Sequence, residues 1–313
     1  MNSSTPPGFP YKWCNCGEDK YGIWIQIKIN QSNTKMRWMK PGEFVMGSPD
    51  DELHRYEHET NHEVSLTKGF WISDTTCTQE TWENVMKSNP SKNTGPQKPV
   101  DNISFNDCKK FFEKVNELNN KIVFSLPTES QWEYACRAGT QTPFSFGINI
   151  SPDQVNYNGE HPYIGQEKQL NRNQTLETKA LPANPWGLYE MHGNVWEWCS
   201  DWFAQLVSNG VTDPAGPSNG LYKILRGGSA FSGAADCRSA ARIRFHPNER
   251  YYRNGFRFIC VIKEDEKKAE YKAHERIELP QDEEELTSVS ENREIIMKKK
   301  EIEKNEKENK TAR

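Results

Sequence analysis

Three features of the sequence predict a mixed helix-and-strand fold in which loops outweigh regular secondary structure. Between Gly22 and Ile29 apolar and polar side chains alternate, which is typical of a strand with one buried face. Three segments combine helix-capping residues with apolar side chains at helical spacing. From about Gly139 to Val261, Gly, Pro and Asn recur every few residues, so we expect long loops fastened to a small sheet.

The remaining elements can be placed in chain order from the same kinds of pattern. A second short strand is expected at Phe44–Ser48. The first helix is expected to begin near Thr78, and the second begins with the capping pattern Ser104–Asp107, whose side chains can satisfy free first-turn amides. The third is expected to start within Pro127–Gln131 and to stop at Gly139. We interpret all three helices as scaffold.

Composition divides the chain into three parts. Residues 1–21 are expected to form an irregular arm, because three of the first ten residues are proline. Residues 22–262 are expected to form the folded domain. Residues 263–313 are dominated by Lys and Glu and cannot bury enough apolar surface to offset the entropy of ordering. This tail is therefore expected to be disordered or to form a lone charged helix.

Composition also limits the functional classes that remain open. Only 34% of the residues are hydrophobic, so much of the core has to come from the 10 Trp, 11 Tyr and 14 Phe side chains. The formal net charge of -4 gives no electrostatic reason to expect binding to nucleic acid or to an anionic membrane. A membrane-spanning helix needs a run of about 18 apolar residues, and the sequence has none.

The predicted cellular compartment determines the expected redox state of the cysteines. The amino-terminal residues lack the basic start and apolar stretch of a signal peptide, so we expect a cytoplasmic protein, with export by another route left open. The eight cysteines are scattered, and in that compartment most of them are expected to be reduced. Cys14 and Cys16 are too few and too close together to form a zinc site by themselves.

The stretch Asp50–Glu63 is rich in Asp, Glu and His. Its histidines, His54, His58 and His62, recur every four residues, as metal ligands on one face of a helix would. The stretch has no apolar face that could hold such a helix in place. We therefore favour a solvated surface loop over a cation site or a histidine metal triad.

A series of short motifs along the chain carries a family resemblance. The motifs are Gly42–Ser48, Pro99–Val100, Leu126–Ala135, Gly187–Trp198, Arg226–Ser229, Arg238–Arg242 and Gly255–Arg257. Each motif alone is weak evidence, but their order along the sequence is specific. From Trp38 to Val261 the set resembles the formylglycine-generating enzyme, or sulfatase-modifying factor, family.

The resemblance implies a compact α+β domain with the C-type-lectin-like fold of that family, low in regular secondary structure and holding calcium ions in its loops. Calcium prefers roughly six to eight oxygen ligands and accepts carboxylates mixed with backbone carbonyls. By similarity, the ligands of a first site are Glu190, the carbonyls of Gly193 and Val195, and Glu197. By similarity, a second site uses Asn156 and the carbonyl of Tyr157, with an oxygen near Asn171. The alternative is that Glu197 and Asn194 only bond backbone amides.

The same resemblance bears on catalysis, because the family's oxidase holds copper between two cysteines that follow the Arg-Gly-Gly-Ser motif. Counting forward from Arg226–Ser229, those positions fall on Ser232 and Cys237. Counting backward from Ala240–Arg242, Cys237 matches neither position. Cu(I) prefers soft thiolate ligands, so the pair is incomplete in either case and copper is not expected. Ser232 and Cys237 remain the catalytic candidates if the chain is an enzyme; otherwise Cys237 is a buried structural thiol.

The segment from Ser229 to Asn254 is the candidate binding surface, since aromatic and short polar side chains on a rigid frame favour recognition. The candidate ligand-binding residues are Ala230, Phe231, Ser232, Asp236, Phe245, His246, Glu249, Tyr251, Tyr252 and Asn254. Four arginines are assigned to the frame, where they are expected to pair with buried carboxylates or carbonyls. They are Arg226, Arg238, Arg242 and Arg257.

The spacing of these motifs also resembles variable proteins diversified by retroelements, which use the same fold to display a changeable face. The alternative is an ordinary family member whose loop tolerates change. The favoured interpretation is a calcium-stabilised protein that binds or displays an unknown protein or small-molecule ligand on the 229–254 surface. A metal-dependent oxidoreductase of the sulfatase-modifying factor family, and a scaffold that docks through the charged tail, are the alternatives.

Overall fold

The fold is given by a computed structural model that describes residues 5–118 and 121–263. Its strands are β1 (Asn15–Asp19), β2 (Gly22–Ile29), β3 (Ser32–Met39), β4 (Gly42–Met46), β5 (His62–Leu66), β6 (Phe70–Ser73), β7 (Ile122–Ser125), β8 (Trp196–Trp202), β9 (Val211–Thr212), β10 (Lys223–Arg226), β11 (Arg242–Phe245), β12 (Asn254–Gly255) and β13 (Ile259–Ile262). Its helices are α1 (Gln79–Met86), α2 (Phe105–Glu117) and α3 (Glu129–Arg137). A single 3-10 turn, Ala234–Cys237, is the only helical segment between residues 139 and 261. That long region is therefore built mainly of loops, as the sequence predicts.

The largest sheet has six strands in the order β1-β2-β3-β6-β13-β7. The predicted alternation in β2 is confirmed, because Ile25, Ile27 and Ile29 are buried. Strand β13 comes last among the described elements, yet it lies between β6 and β7 and is antiparallel to both. Cys260 of β13 is the register partner of Trp71 in β6. The sheet therefore closes the domain by pairing its last strand with strands from its first half.

Two smaller sheets hold the motif-rich second half of the domain. One has the order β11-β10-β8-β12, and the other has the order β4-β5-β9. In the first of these, Arg226 at the end of β10 is the register partner of Glu197 in β8. The strand predicted at Phe44–Ser48 is β4, which begins and ends two residues earlier than expected.

All three predicted helices are present, and their caps match the sequence patterns. The side chain of Thr78 caps α1, and Ser104 and Asp107 form a reciprocal capping box at the start of α2. Thr128 and Gln131 form the same arrangement at the start of α3, which ends with Ala138 in the left-handed conformation just before Gly139. Local side-chain chemistry therefore determines where the helices start.

Aromatic side chains fill much of the main core, as the low hydrophobic content requires. Trp82 of α1 stacks on Phe111 of α2 with ring centroids 5.5 Å apart and an interplanar angle of 3°. Phe256 packs edge-on against Phe111 at 5.3 Å. The motif Gly255–Arg257 thus runs through the core between the helices and the sheet.

Two sequence predictions are wrong in part. The arm was expected to be irregular through residue 21, but Asn15–Asp19 pairs with β2 as β1, because the prolines occupy only its first ten residues. The stretch Asp50–Glu63 was expected to be solvated, but Glu59 is fully buried. The reason is that Arg238 binds Glu52 and Glu59 from inside the domain.

The tail prediction concerns residues 263–313, and all of these except Lys263 lie outside the described residues. Among the residues that are described, no helix is long and apolar enough to cross a membrane. All eight cysteines lie in the described part of the chain, and none of them is in a disulfide.

Candidate ligand-binding face and calcium-binding loops

The four arginines of the framework motifs are buried, as predicted, and form a frame of ion pairs and hydrogen bonds inside the domain. Arg242 binds Glu129 through two hydrogen bonds, of 2.7 and 2.6 Å. Arg226 pairs with Glu133 and also donates to the carbonyls of Ala240 and Ala241, so it fixes the backbone that leads into β11. Because each charge is both paired and hydrogen-bonded, the frame meets the requirement for burying ions in a protein interior.

Glu197, a predicted calcium ligand, belongs to this frame. Its Oε2 accepts hydrogen bonds from Arg257 Nε and from Trp132 Nε1, both at 2.7 Å. Its Oε1 accepts from Arg257 Nη2 at 2.8 Å. Asn194, which was expected to bond a backbone amide in the alternative interpretation, accepts a hydrogen bond from the Leu176 amide at 2.9 Å. Both carboxylate oxygens of Glu197 are therefore already engaged by a buried cation.

Glu190 has a different environment. Its backbone is left-handed, with φ of 51°, and its Oε1 accepts a hydrogen bond from the Lys179 amide at 2.7 Å. Its Oε2 is buried and has no hydrogen-bond partner among the described residues. Burial raises the pKa of this carboxyl to about 8. A buried carboxylate oxygen without a hydrogen-bond partner is unfavourable, and a cation is one kind of partner that it could bind.

Asn156, at the second predicted site, also carries an unpartnered oxygen. The residue is buried, and its Nδ2 donates to the carbonyl of Gln174 at 2.9 Å and to Asn194 Oδ1 at 3.0 Å. Its Oδ1 is buried and accepts no hydrogen bond from any described residue. The neighbouring Tyr157 is fully buried, which raises the pKa of its hydroxyl to about 12.

The two predicted calcium loops touch each other. Asn156 and Gly193 form a parallel bridge, and the Asn194 amide donates to the Asn156 carbonyl at 2.8 Å. Val195 follows directly and is fully buried. No group of three or more His, Cys, Asp or Glu side chains converges as a metal site in the described ranges. Ions at these loops would therefore depend on carbonyl and amide oxygens, with Glu190 as the available carboxylate.

A buried cysteine–histidine contact lies beside these loops, and no motif in the sequence predicted it. His192 Nδ1 donates to the Cys237 carbonyl at 2.7 Å, while its Nε2 accepts from the Ser145 amide at 3.1 Å. These partners define a neutral imidazole, and burial lowers the pKa of His192 to about 4. Cys136 Sγ lies 3.7 Å from Nε2, and burial raises the pKa of that thiol to about 12. Both groups are uncharged at neutral pH, so the contact is not an activated thiolate pair.

The two catalytic candidates lie in the turn after β10. Ser232 Oγ accepts from the Ser229 amide at 3.2 Å, and the residue is only 6% exposed. Cys237 is fully buried, and burial raises its thiol pKa well above the usual value. A Cβ added to Gly228 would lie 2.5 Å from Cys237 Sγ, so this thiol packs against the glycine backbone. Cys237 thus has the surroundings of a structural cysteine.

Four aromatic residues of the predicted binding segment form one contiguous cluster, which we call the aromatic face: Phe231, Phe245, Tyr251 and Tyr252. Ring centroids are 5.3 Å apart for Phe231 and Tyr252, 4.7 Å for Tyr251 and Tyr252, and 5.8 Å for Phe245 and Tyr251. All four side chains are half-buried. Half-exposed rings that support one another can offer contact area at little entropic cost.

Two cations that were not among the predicted binding residues border the aromatic face. The Arg253 guanidinium lies 4.9 Å from the Phe231 ring and 5.0 Å from the Tyr252 ring. Lys92, from a loop far away in sequence, lies 5.1 Å from the Tyr252 ring. The hydrogen bond from Arg253 to the Tyr252 hydroxyl lowers the pKa of that hydroxyl. The position of Arg253 between Tyr252 and Asn254 could have predicted that it borders the aromatic face. The sequence around Lys92 contains no pattern that predicts such a role.

The other predicted binding residues have varied positions. Ala230, Ser232 and Asn254 are buried, so they lie inside the domain. Asp236 is half-buried and accepts a hydrogen bond from the Tyr56 hydroxyl at 3.4 Å. His246 is half-buried and Glu249 is exposed. Neither Oδ1 nor Nδ2 of Asn254 has a partner within the described residues.

A family profile described as the sulfatase-modifying factor enzyme 1-like domain matches residues 25–262. The chain belongs to this family. This sulfatase-modifying factor domain is 34% identical over 171 residues to the formylglycine-generating enzyme of Bos taurus, covering 52% of this chain and 44% of that protein. It is 33% identical over 172 residues to the enzyme of Streptomyces coelicolor, covering 52% of each. It is 37% identical over 143 residues to the serine/threonine-protein kinase pkn1 of Chlamydia caviae, covering 44% of this chain and 21% of the kinase. The matches therefore span between about a fifth and a half of these relatives.

Solved structures share the fold of this sulfatase-modifying factor domain. Treponema denticola variable protein 1 matches with a TM-score of 0.67 and 26% identity, over 75% of this chain and 98% of that one. PvdO from Pseudomonas aeruginosa matches with a TM-score of 0.65 and 25% identity, over 76% of this chain and 98% of that one. The predicted α+β fold of the formylglycine-generating-enzyme and C-type-lectin-like kind is confirmed. Both predicted resemblances, to the enzyme family and to a variable protein, are confirmed as well.

Proposed function

We propose that this domain binds and displays a ligand on the aromatic face and does not perform copper-dependent oxidation. The observation that carries the proposal is the contiguous cluster of Phe231, Phe245, Tyr251 and Tyr252 on a frame of buried ion pairs. Aromatic residues dominate the energetics of recognition surfaces when a rigid base holds them in place. Arg253 and Lys92 add positive charge at the border, which favours a ligand that carries carboxylate groups.

The environment of the catalytic candidates argues against oxidase chemistry. A copper centre of the family's kind needs two thiolates, and the first matching position holds Ser232, whose hydroxyl is a poor ligand for Cu(I). Cys237 is fully buried and packs against Gly228, and burial favours its neutral thiol. A neutral, enclosed thiol is a weak metal ligand and a weak nucleophile.

The oxidase alternative is tested by loading the protein with Cu(I) and measuring oxygen consumption with a cysteine-containing peptide. We expect no copper-dependent consumption, and we expect Cys237→Ala to bind Cu(I) as the unmodified protein does. The matched variant Ser232→Cys restores the second thiol and shows whether the fold can still hold copper. Oxygen consumption by the unmodified protein that Cys237→Ala abolishes would establish the oxidoreductase and exclude our proposal.

We also propose that calcium stabilises the loops that carry Glu190 and Asn156. Support comes from two unpartnered buried oxygens, Glu190 Oε2 and Asn156 Oδ1, on loops that bridge at Gly193. Calcium accepts this mixture of carboxylate, amide and carbonyl oxygens. In this proposal Glu190, Asn156 and nearby backbone carbonyls hold the ions, while Glu197 keeps its partner Arg257 and orients the loop.

Calcium binding is tested by thermal unfolding with calcium and with a chelator. An ion that binds only the folded state raises the midpoint, and the stabilisation grows with the logarithm of its concentration relative to its dissociation constant. We expect calcium to raise the midpoint of the unmodified protein and of the control Glu249→Gln, an exposed carboxylate outside the loops. We expect a much smaller rise for Glu190→Gln. Equal rises in both variants, or none in the unmodified protein, would remove the calcium proposal.

Ligand display is tested by selecting binders from a phage-displayed library of random peptides. We expect the selected peptides to be rich in Asp and Glu and to lose at least tenfold in affinity for Tyr252→Ala. The matched control is Tyr222→Ala, another tyrosine at the surface but outside the aromatic face. Peptides that bind both variants as tightly as the unmodified protein would place recognition elsewhere on the domain.

A further inference from the structure

A polar cleft opens between β3, the loop from β6 to α1, and a loop at residues 177–179. Its volume is about 240 Å³. None of its lining residues belongs to the aromatic face or to the copper-pair positions. Six of the lining residues are threonines, and we call this site the threonine cleft: Thr34, Thr75, Thr76, Thr78, Thr81 and Thr178.

The two lysines of the threonine cleft already have anionic partners. Lys179 Nζ lies 2.8 Å from Asp74 Oδ2, where it neutralises a buried carboxylate. Lys35 Nζ lies 3.6 Å from an oxygen of Asp19, a residue that does not itself line the cleft. The Glu80 carboxylate accepts a hydrogen bond from the Gln97 side chain at 2.9 Å. An anionic ligand would have to break one of these lysine pairs and would also lie near the carboxylates of Glu80 and Glu177, which line the cleft.

The start of α1, which lines one wall, offers no anion site either. The Gln79 amide donates to the Lys98 carbonyl at 2.9 Å, and the Glu80 amide donates to the Pro96 carbonyl at 3.0 Å. The Thr81 amide donates to the Thr78 hydroxyl at 3.2 Å. First-turn amides that are already satisfied cannot hold a phosphate or a carboxylate. The cleft therefore disfavours anions, and its hydroxyl and amide groups can engage an uncharged ligand.

One of the hydroxyls lacks a partner. Thr76 is 2% exposed, and its Oγ1 is buried without a hydrogen bond to any described residue. Thr75, beside it, is also buried. A buried hydroxyl without a partner is unfavourable, so a ligand oxygen that reached Thr76 Oγ1 would gain a hydrogen bond that the domain itself does not supply. Hydroxyls can both donate and accept, so a group of threonines suits a ligand with many hydroxyls of its own.

We propose that the threonine cleft binds a small neutral polyol, such as a monosaccharide or a cyclitol. Pockets for drug-sized molecules occupy roughly 300–1,000 Å³, so this cleft suits a smaller ligand. The site is separate from the aromatic face, and the proposal does not depend on peptide display or on oxidase chemistry. The Lys179 amide bonds Glu190, so the cleft borders the loop for which calcium is proposed.

The test uses isothermal titration and saturation-transfer NMR with a panel of glucose, galactose, mannose, myo-inositol, serine and glutamate. We expect saturable binding of at least one polyol, no binding of the charged amino acids, and the same polyol affinity in calcium and in chelator. Thr76→Val, which replaces the unpartnered hydroxyl by a methyl group, is expected to weaken the affinity at least tenfold. Thr212→Val, the same change at an exposed threonine of β9, is expected to leave it unchanged.

A second variant distinguishes a loss of polyol binding from a loss of folding. Thr178→Val alters a half-buried loop hydroxyl and should keep the thermal midpoint while weakening polyol binding. Failure of every polyol to bind at millimolar concentration would overturn the proposal. Polyol binding that neither cleft variant weakens, or tighter binding of serine or glutamate than of any polyol, would overturn it as well.

Discussion

Gly193 lies so close to Asn156 that a Cβ added to it would be 2.3 Å from the Asn156 carbonyl oxygen. Gly193 also has a positive φ of 77°, a backbone conformation that residues with a Cβ rarely adopt. This approach joins the two loops that carry the unpartnered oxygens of Glu190 and Asn156. The close contact between these two loops therefore requires a glycine at position 193.

The first prediction is that Gly193→Ala destabilises the domain strongly. The left-handed backbone alone costs about 1–2 kcal/mol for a residue with a Cβ, and the collision with the Asn156 carbonyl adds to that cost. The control is Gly210→Ala, where the nearest atoms to an added Cβ are 3.8 Å away. Urea unfolding measures both changes. A loss below about 0.5 kcal/mol for Gly193→Ala would show that the two loops can separate.

The second prediction concerns the frame. Arg238 is fully buried and donates to both oxygens of Glu59, at 2.8 and 2.9 Å. Glu59→Gln removes one of the two carboxylates that pair with Arg238 and leaves Glu52, 2.7 Å from the guanidinium, as its remaining ionic partner. We therefore expect a loss of about 1.5–3 kcal/mol in the free energy of unfolding, the usual contribution of a hydrogen bond to a charged group. Asp50→Asn is the control, because the Asp50 side chain is exposed and its pair with Arg55 should contribute at most about 1 kcal/mol. Similar losses in both variants would contradict the prediction.

Much of the fold could be predicted because its signals are local. The helix starts at Thr78, Ser104 and Thr128 depend on side chains that bond amides three residues away. The burial of Arg238 and Arg242 followed from their place inside framework motifs.

The parts that could not be predicted depend on contacts between distant residues. Glu59 is a charged residue in a charged stretch, and only its pairing with Arg238, 179 residues away, explains its burial. Cys136 and His192 are 56 residues apart, and no spacing rule links them. Lys92 reaches the Tyr252 ring from another loop. In each case the partner, not the residue type, decides the environment.

The third prediction is a pH dependence at Glu190. Burial raises the pKa of this carboxyl from 4.5 to about 8, so the folded state holds a proton that the unfolded state has released. In chelator, this contribution to stability is fully present below about pH 4.5 and is lost as the pH rises towards 8. Calcium binds the ionised form, so its stabilising effect should grow over the same range.

Unfolding free energies of the unmodified protein and of Glu190→Gln, measured from pH 5 to 8 with and without calcium, check this prediction. Glu190→Gln cannot ionise, so its stability should vary less with pH in chelator, and calcium should stabilise it less at pH 8. The prediction is wrong if both proteins show the same pH dependence in chelator.

The fourth prediction concerns His192. Burial lowers its pKa from 6.5 to about 4, so the unfolded state binds a proton more readily than the folded state does. Its contribution to stability is present above about pH 6.5 and is lost as the pH falls towards 4. Protonation would also place a second donor at Nε2, which already accepts from the Ser145 amide at 3.1 Å. Imidazole resonances followed by NMR should therefore show His192 neutral at pH 5.5, and a midpoint near 6.5 for this residue would show that the buried contact with Cys136 opens to solvent.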